Sequence, residues 1–283
     1  MAGKRYLFLD VGGTFIKTSD GREIPVDSDG SIDAISASFS EAVGRFCRDA
    51  SADATGCGYD IGIAIPGPFD YAHGIFRMTH KYATVNGKDF RSLAGVPERV
   101  GLRFAHDVNC MLAGEVYAGN GRGFDRVALV SLGTGLGFSM SIDGEILKND
   151  IGSPRVSIFG LPYRDGILED YASKRGIMNR YRSMSGETLS VKEIATRAKT
   201  GDNAAVTAMS ETGQIIAEVI SPILTEYGVE CLLFGGQISR SFSLMEGALR
   251  KGLANVPSLR SLNVISDFDN ATFNGLRNIM REA

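Results

Sequence analysis

Two segments of the chain share one plan, in which an apolar, β-rich run meets a glycine turn and continues as a second apolar run. The first segment spans residues 6–18 and the second spans residues 127–142. Because glycines supply the positive φ that tight hairpin turns require, both segments predict β-hairpins. Their turns, at Gly12 and Gly133, lie about 120 residues apart, and each hairpin begins a longer stretch of strands and helices. This spacing indicates an internal duplication, with one half in each of two domains.

Helix and strand patterns alternate along the rest of the chain. Apolar residues recur every three to four positions in some segments, which predicts amphipathic helices. Apolar runs that stop at Pro, Asp or Gly predict strands. Pro222 is expected to kink or divide the helix that contains it. The predicted helices are residues 32–50, 108–119, 209–227 and 271–280, and the predicted strands are residues 61–65, 102–107 and 231–234. The alternation predicts an α/β fold.

Composition excludes several classes of protein. The 283 residues are 43% hydrophobic, which is enough for a sizeable core. The 30 Lys and Arg residues are mixed with 33 Asp and Glu residues, so no basic stripe for a nucleic-acid backbone is present. The four cysteines stand far apart without a CxxC pair, which predicts reduced, structural thiols. No apolar stretch approaches the ~20 residues of a membrane span. We therefore expect a soluble, cytoplasmic protein without nucleic-acid or membrane partners.

The two glycine turns carry the main chemical signal. The second turn, Gly133–Gly135 within SLGTGLGF, offers backbone N–H groups that glycine leaves uncovered, together with a threonine hydroxyl. The first turn, Gly12–Thr14, offers the same arrangement. Either turn alone is better explained as the closure of a hairpin. Two copies, each with a threonine, favour a pair of turns that grips a polyphosphate from both sides of a cleft.

Asp10 stands two residues before the first glycine pair, where its negative charge would repel phosphate. A Mg²⁺ ion held by Asp10, directly or through water, would resolve this conflict because the cation would stand between the carboxylate and the phosphates. Lys17 would add a fixed positive charge. The glycines at 133–137 do not have the spacing G-x-G-x-x-G, and no G-x-x-x-x-G-K-[ST] occurs, so neither a Rossmann dinucleotide site nor a P-loop is predicted.

A third glycine pair, Gly235 and Gly236, ends a predicted buried strand that runs into a loop and then a helix. Such a position allows the backbone to approach a flat ligand closely. The alternative is an ordinary connection between a strand and a helix.

Asp107 is the candidate catalytic base. It ends an apolar strand and precedes a helix, where a carboxylate projects toward a cleft between domains. Phosphoryl transfer to a hydroxyl requires mainly positioning and charge neutralisation, with a base that accepts the hydroxyl proton late. A helix N-cap is the alternative role, since Asp is preferred at that position.

Taken in order along the chain, these motifs resemble those of the ROK family of bacterial sugar kinases, a branch of the actin, Hsp70 and hexokinase superfamily. DVGGTFIK is similar to the family's first phosphate motif, SLGTGLGF to its second and LLFGGQIS to its adenosine motif. IAIPGPFDY resembles the segment whose glycine, here Gly67, lines the sugar site, and HDVNCMLAGE resembles the catalytic stretch, with Asp107 as base. The resemblance covers nearly the full length. It implies a two-domain, actin-like ATPase fold of the ribonuclease H-like type, with a cleft between the domains.

Near the sugar, the chain departs from the family pattern. His106 stands where the family has Asn, and Asp150-Ile-Gly-Ser153 stands where the family has Glu-x-Gly-His. Lys81 and Asn86, between the PGP turn and the next helix, are further candidate contacts, with a plain surface loop as the alternative. The sugar contacts that the resemblance implies are Gly67, His106, Asp150 and Glu169.

The family's zinc motif, C-x-C-G-x-x-G-C-x-E, is also altered. The corresponding residues 160–169 keep Gly166 and Glu169 but contain no cysteine. We expect no zinc site, because neither thiolates nor the histidine remain to supply tetrahedral ligands. For Glu169 the alternative to a sugar contact is a solvated acid on a helix.

The resemblance implies ATP-dependent phosphorylation of a hydroxyl on a hexose or hexose derivative, with ATP and Mg²⁺ as cofactors and a homodimer as the assembly. It implies an N-terminal sugar-binding domain at residues 1–119, against which the C-terminal helix at 270–283 packs, and a nucleotide-binding domain at residues 120–269. The alternatives are a non-catalytic sugar-binding or sensing protein of the same fold, or a non-sugar kinase of the same superfamily. The sugar, the hydroxyl and the preferred phosphoryl donor stay open.

Overall fold

The computed structural model describes residues 3–281, so residues 1–2 and 282–283, at the ends of the predicted domains, lie outside the described part. The described chain divides into two compact units. The predicted boundary assigned residues 115–119 to the N-terminal domain and residues 148–154 to the C-terminal domain. The structure places residues 115–119 in unit 2 and residues 148–154 in unit 1. Unit 1 comprises residues 3–114, 148–154 and 270–281, and unit 2 comprises residues 115–147 and 155–269.

Strands and helices alternate along both units. The strands are β1 (Lys4–Val11), β2 (Phe15–Thr18), β3 (Glu23–Pro25), β4 (Gly58–Ile65), β5 (Phe69–Asp70), β6 (Ile75–Phe76), β7 (Val100–His106), β8 (Arg126–Leu132), β9 (Leu136–Ile142), β10 (Glu145–Ile146), β11 (Pro162–Tyr163), β12 (Gly166–Ile167), β13 (Cys231–Gly235) and β14 (Ser261–Val264). The α-helices are α1 (Ile32–Ala52), α2 (Phe90–Ala94), α3 (Asp107–Ala118), α4 (Leu168–Ala172), α5 (Lys174–Ser185), α6 (Val191–Lys199), α7 (Asn203–Glu226), α8 (Glu246–Gly252) and α9 (Ala271–Arg281). Short 3₁₀ helices occupy Ala83–Val85 and Gln237–Leu244.

Each unit is built on a five-stranded sheet, and the two sheets repeat one plan. The strand order is β3-β2-β1-β4-β7 in unit 1 and β10-β9-β8-β13-β14 in unit 2. In each sheet the first strand of an antiparallel hairpin, β1 or β8, also pairs with a parallel strand, and a second parallel strand lies beyond it. Both predicted hairpins are therefore confirmed, and the repeated topology agrees with the predicted duplication. The reason given for the hairpins was wrong, because none of the turn glycines (Gly12, Gly13, Gly133 and Gly135) has a positive φ.

Helix α1 shows how the apolar pattern becomes core. Ile35, Phe39 and Val43 lie on one face at helical spacing and are buried, as the sequence predicts. The helix begins after Ser31, whose Oγ accepts a hydrogen bond from the Ala34 N–H at 3.3 Å. Burial of this face holds the helix against the unit 1 core.

Helix α7 runs through Pro222 without division, so of the two predicted outcomes the division is wrong and the kink stays a prediction. The missing N–H removes one hydrogen bond, but Ile216 and Ile220 of the same helix are fully buried in the unit 2 core. The helix also starts earlier than predicted, because the Asp202 side chain caps it by accepting from the Ala205 N–H at 3.0 Å.

Within residues 3–281, no helix combines the length and the apolar character needed to cross a membrane. The four cysteines are free thiols, three of them buried.

Helices α3 and α9 contact each other through their backbones at two glycines of unit 1. A Cβ atom at Gly275 would lie 1.8 Å from the carbonyl oxygen of Cys110, and a Cβ atom at Gly114 would lie 2.4 Å from the carbonyl oxygen of Ala271. Side chains do not tolerate such distances, so only glycine permits this crossing. The crossing lets the apolar residues of α9 pack with Phe8 of β1.

Replacing Gly275 by Ala is expected to destabilise the protein on the scale of core overpacking, about 1–3 kcal/mol. The added methyl group must push α9 away from α3. The midpoint of urea unfolding measures the effect. The control is Gly247→Ala in α8, where a Cβ atom meets nothing within 4 Å, so the midpoint should stay or rise. An unchanged midpoint for Gly275→Ala would contradict the close crossing.

Candidate active site

Three strands of the unit 1 sheet end at the same edge, because β1, β4 and β7 are parallel. In the register, Asp10 pairs with Ala64, and Ile65 pairs with His106. Asp107 follows as the first residue of α3. The topology therefore brings Asp10, His106 and Asp107 to neighbouring strand ends, which the spacing of these residues in the sequence does not show by itself.

The first glycine turn is fixed through its carbonyl groups. The Gly13 carbonyl accepts from the Ser28 N–H at 3.1 Å, and the Gly12 carbonyl accepts from the Tyr82 hydroxyl at 2.5 Å. The N–H groups of Gly13 and Thr14 donate to none of the residues that the structure describes. A turn with fixed carbonyls and unused N–H groups is a candidate anion site.

Asp10 lies directly across the β1–β2 pair from Lys17. Burial raises the pKa of Asp10 to about 7, the negative charge of Asp107 adds to this increase, and the positive charge of Lys17 opposes it. Nζ of Lys17 also lies 3.7 Å from Oε1 of Glu23. Asp10 is therefore a carboxylate whose charge the surrounding protein neutralises only in part.

Asp107 shows the opposite shift. Burial by itself would raise its pKa, but His106, the Val108 N–H and Lys81 outweigh burial and hold the pKa below its usual range. Its Oδ1 lies 2.8 Å from Nδ1 of His106 and accepts from the Val108 N–H at 2.7 Å. A helix N-cap accepts from a residue two or three positions further on. The geometry thus differs from a cap, and the side chain remains 40% exposed.

Gly67, His106 and Ser153 lie together in unit 1. A Cβ atom at Gly67 would be 3.3 Å from Cδ2 of His106 and 3.3 Å from Oγ of Ser153. The Tyr71 ring lies 5.9 Å from the His106 ring, centroid to centroid, and its hydroxyl donates to the Ile65 carbonyl at 3.0 Å. A substrate group that reaches this edge would therefore meet an imidazole and a hydroxyl beside a bare glycine backbone.

Asp150 occupies a turn that Asn149 organises. The Asn149 side chain accepts from the N–H groups of Ile151 and Ser153 at 3.2 and 3.0 Å. The Gly152 carbonyl accepts from the Asn109 side chain at 3.2 Å, which joins the turn to α3. Asp150 itself is exposed, so its expected contact with the sugar stays a prediction.

The second glycine turn, in unit 2, is also fixed at its ends. The Gly133 N–H donates to the Gly135 carbonyl at 3.0 Å, and the Gly133 carbonyl accepts from the Lys174 N–H at 3.1 Å. The Leu136 N–H donates to Oε2 of Glu169 at 2.8 Å. Among the described residues, nothing accepts from the N–H groups of Thr134 and Gly135. The turn therefore offers two N–H groups, as the first turn does.

The third glycine pair lies at the same edge of the unit 2 sheet, because Gly235 pairs with Ser131 in the parallel β13–β8 register. Gly236 has φ of 81°, and a Cβ atom there would lie 2.3 Å from the Leu132 carbonyl oxygen. The position accepts only glycine. The expected strand-to-helix connection is present, with a 3₁₀ helix after the strand.

A pocket of about 410 Å³ adjoins the second turn within unit 2. The sequence identifies only Thr134 and Glu169 of its lining, because tertiary packing brings the residues around the start of α5 to the turn. The signal that could have located these residues is the edge of the parallel sheet at Gly133, because α5 begins beside that residue. The lining residues are Thr134, Glu169, Ser173, Lys174, Arg175, Met178 and Asn179.

At the position of the family's zinc motif, β11 and β12 form a small hairpin. The Tyr163 and Tyr171 rings meet edge to face at 5.2 Å, and the Arg164 guanidinium lies 5.2 and 5.7 Å from their centroids. Asp165 accepts from the Tyr171 hydroxyl. Within residues 3–281, no group of three or more His, Cys, Asp or Glu side chains is arranged to hold a metal ion. Aromatic and cationic contacts therefore hold this hairpin.

The model of the ROK family matches residues 8–155 and 160–263. The chain therefore belongs to the ROK family. It is 26% identical over 219 residues to an N-acetyl-D-glucosamine kinase of Mannheimia succiniciproducens, a match that covers 70% of this chain and 71% of that protein. It is 25% identical over 216 residues to a glucokinase of Thermotoga maritima, with 68% of each chain covered.

The fold also matches solved structures. A ROK family glucokinase from Streptomyces griseus, in complex with glucose and AMPPNP, superposes with a TM-score of 0.77 at 18% identity. The match covers 98% of this chain and 99% of that one. The protein thus has the α/β, actin-like ATPase fold that the sequence resemblance implied.

Replacing Asp10 by Asn should stabilise the ligand-free protein, and more so at pH 8 than at pH 4.5. The folded pKa of about 7 exceeds the ordinary value of 3.8, so the wild type loses stability as the pH rises toward 7, whereas Asn does not titrate. Melting temperatures at the two pH values measure this. The gain at pH 8 should exceed the gain at pH 4.5 by roughly 2 °C or more.

The matched control is Asp49→Asn, at an exposed position of α1, which should show no such dependence on pH. Equal gains for Asp10→Asn at both pH values would contradict the burial of an ionisable Asp10.

Proposed function

We propose that the protein is a carbohydrate kinase that transfers the γ-phosphoryl group of ATP to a hydroxyl of a hexose or hexose derivative. The observation that carries the proposal is the position of Asp107, a partly exposed carboxylate that follows a strand end and accepts from the Val108 N–H without capping the helix. Membership of the ROK family and similarity to N-acetyl-D-glucosamine kinases and a glucokinase support the reaction class. Hexoses of the glucose type and amino sugars are the first substrates to test.

Asp107 acts as the general base in this proposal. Phosphoryl transfer has a loose transition state, and the hydroxyl proton moves to the base late. His106 and the Val108 N–H occupy Oδ1, so Oδ2 accepts the proton from the sugar hydroxyl. A pKa below the usual range keeps the carboxylate ionised at neutral pH.

Asp10 is the residue that would hold Mg²⁺, directly or through water. Its partly buried carboxylate beside the charge of Asp107 favours a cation, since the pKa of Asp10 is raised first by burial and further by that charge. Nucleotide sites commonly hold Mg²⁺ by one or two carboxylates together with water and phosphate oxygens. When bound, the ion neutralises phosphate charge, and Lys17 contributes a fixed positive charge.

Nucleotide binding is assigned to the glycine sites. The free N–H groups of Gly13 and Thr14 and of Thr134 and Gly135 would donate to phosphate oxygens. Gly235 and Gly236 would lie against the flat nucleoside. The AMPPNP complex of the Streptomyces griseus glucokinase supports ATP as the donor.

Sugar binding is assigned to Gly67, His106, Asp150 and Glu169, with Ser153 beside the first two. Unit 1 would then carry most of the sugar contacts and unit 2 most of the nucleotide contacts. The cytoplasmic location, the homodimer and the absence of zinc remain predictions. A non-catalytic sugar-binding protein and a non-sugar kinase are outcomes of the first experiment below.

The first experiment measures ADP release from Mg-ATP across a panel of hexoses and amino sugars. At least one sugar should stimulate turnover, and Asp107→Asn should lower the stimulated rate by at least ~10²-fold, the scale of general-base catalysis. The control is Asp33→Asn, an exposed residue of α1, which should keep the rate.

A stimulated rate that survives Asp107→Asn would rule out the assigned base. If none of the sugars on the panel stimulates turnover, the kinase function is contradicted. Sugar binding without turnover would favour the non-catalytic protein.

Replacing His106 by Asn should move the acid limb of the pH–rate profile to higher pH. His106 contributes to lowering the pKa of Asp107, so its loss lets that pKa rise and protonates the base at a higher pH. The profile of kcat from pH 3 to 8 measures the shift, because the acid limb of the wild type lies in the lowest part of this range. His80→Asn, at an exposed position of unit 1, is the control. An unmoved acid limb would show that His106 does not tune Asp107.

A further inference from the structure

Glu169 contacts the second glycine turn directly. Its Oε2 accepts from the Leu136 N–H at 2.8 Å. Leu136 is the first residue of β9 and pairs with Leu132, so its N–H lies where the turn rejoins the sheet. A hydrogen bond at the Leu136 N–H therefore constrains the conformation of the turn residues that precede it.

The approach of Glu169 depends on the glycine beside Leu136. A Cβ atom at Gly135 would lie 2.7 Å from Oε2 of Glu169. Any larger residue would therefore displace the carboxylate from the Leu136 N–H. Gly135 thus has a structural requirement that a phosphate-binding role alone does not explain.

The segment that carries Glu169 is itself held in place. Leu168 is fully buried, and its N–H donates to the Leu161 carbonyl at 2.8 Å. The Glu169 N–H donates to the Phe159 carbonyl at 3.0 Å. A few residues later, the Lys174 N–H donates to the Gly133 carbonyl at 3.1 Å. The segment therefore holds the turn at both ends, through a carboxylate at one end and an amide at the other.

Arg164 supports this arrangement from the hairpin before α4. It has φ of 52°, a left-handed conformation that is uncommon for a residue with a side chain. Its guanidinium packs against Tyr163 and Tyr171, and Tyr171 lies on α4. The hairpin and α4 are thereby joined on the segment that presents Glu169.

We propose that Glu169 is a positioning residue that holds the second glycine turn in the conformation that binds the nucleotide phosphates. The hydrogen bond at Leu136 and the one from Lys174 use the groups at the ends of the turn and leave the N–H groups of Thr134 and Gly135 for the ligand. The inference rests on the proposed kinase function. It concerns Oε2, and the sugar contact assigned to Glu169 falls to Oε1.

The test compares Glu169→Gln with Glu169→Leu. The amide oxygen of Gln still accepts from the Leu136 N–H, whereas Leu does not. Calorimetric titration with Mg-ATP in the absence of sugar should give a dissociation constant within about threefold of wild type for Gln. For Leu the constant should rise at least about tenfold, the effect of losing a hydrogen bond to a charged group. Glu226→Leu, an exposed position in unit 2, is the control and should bind as wild type does.

Hydrogen exchange in the ligand-free protein provides a second readout. Peptides that cover residues 131–138 should exchange faster in Glu169→Leu and in Gly135→Ala, because both variants remove the carboxylate from the Leu136 N–H. The same peptides should be unchanged in Glu169→Gln. This measurement needs no nucleotide, and the Gly135 variant keeps the test available if Glu169→Leu does not fold.

Wild-type affinity for Mg-ATP in Glu169→Leu, with only the KM for the sugar raised, would overturn the inference and leave the kinase function intact. Equal weakening by Gln and Leu would also overturn it, because an accepting oxygen would then be insufficient. A wild-type protein that binds no Mg-ATP would instead contradict the proposed function itself. The two failures are therefore distinguishable.

Discussion

The parallel pairing of neighbouring strands is the constraint on which the candidate site depends. In each unit, two strands run parallel to the first strand of a hairpin, so the glycine turn and the residues after the parallel strands meet at one edge of the sheet. In unit 1 this edge carries Asp10 and Asp107, and in unit 2 it carries the turn at Gly133 and the pair that begins with Gly235. A register slip of one residue would turn these side chains to the opposite face of the sheet. The apolar side chains of the strand would move as well, so the core and the candidate site depend on the same register.

The charges at the unit 1 edge follow from this geometry. Asp10 and Asp107 are close enough that the charge of one raises the pKa of the other, yet their pKa values shift in opposite directions. Asp10 has Lys17 alone as its cationic neighbour, whereas Asp107 has His106, a backbone N–H and Lys81. Two carboxylates whose surroundings separate their pKa values take different roles. One is suited to a cation and the other to a proton from the substrate.

Local patterns in the sequence predict much of the fold and part of the site. Hairpins, buried strands and the helix at residues 32–50 are specified by turn residues and apolar spacing, which act over a few neighbours. Asp107 was identifiable as the end of an apolar strand. Helix α5 is not predicted from the sequence, because it buries only Ile177 and Tyr181 as large side chains and Lys, Arg, Asn and Ser occupy most of its other positions. The contact between Glu169 and Leu136 joins residues 33 positions apart, so tertiary packing alone determines it.

The function proposed for this protein is the transfer of phosphate from ATP to a sugar hydroxyl. Phosphorus NMR of the protein with Mg-ATP and each sugar of the panel tests it most directly, because the technique identifies the product rather than the loss of ATP. We expect a new phosphomonoester resonance that grows with ADP in equal amount and that requires both the sugar and Asp107. ADP accompanied only by inorganic phosphate, or no change in the spectrum with any sugar, would contradict it.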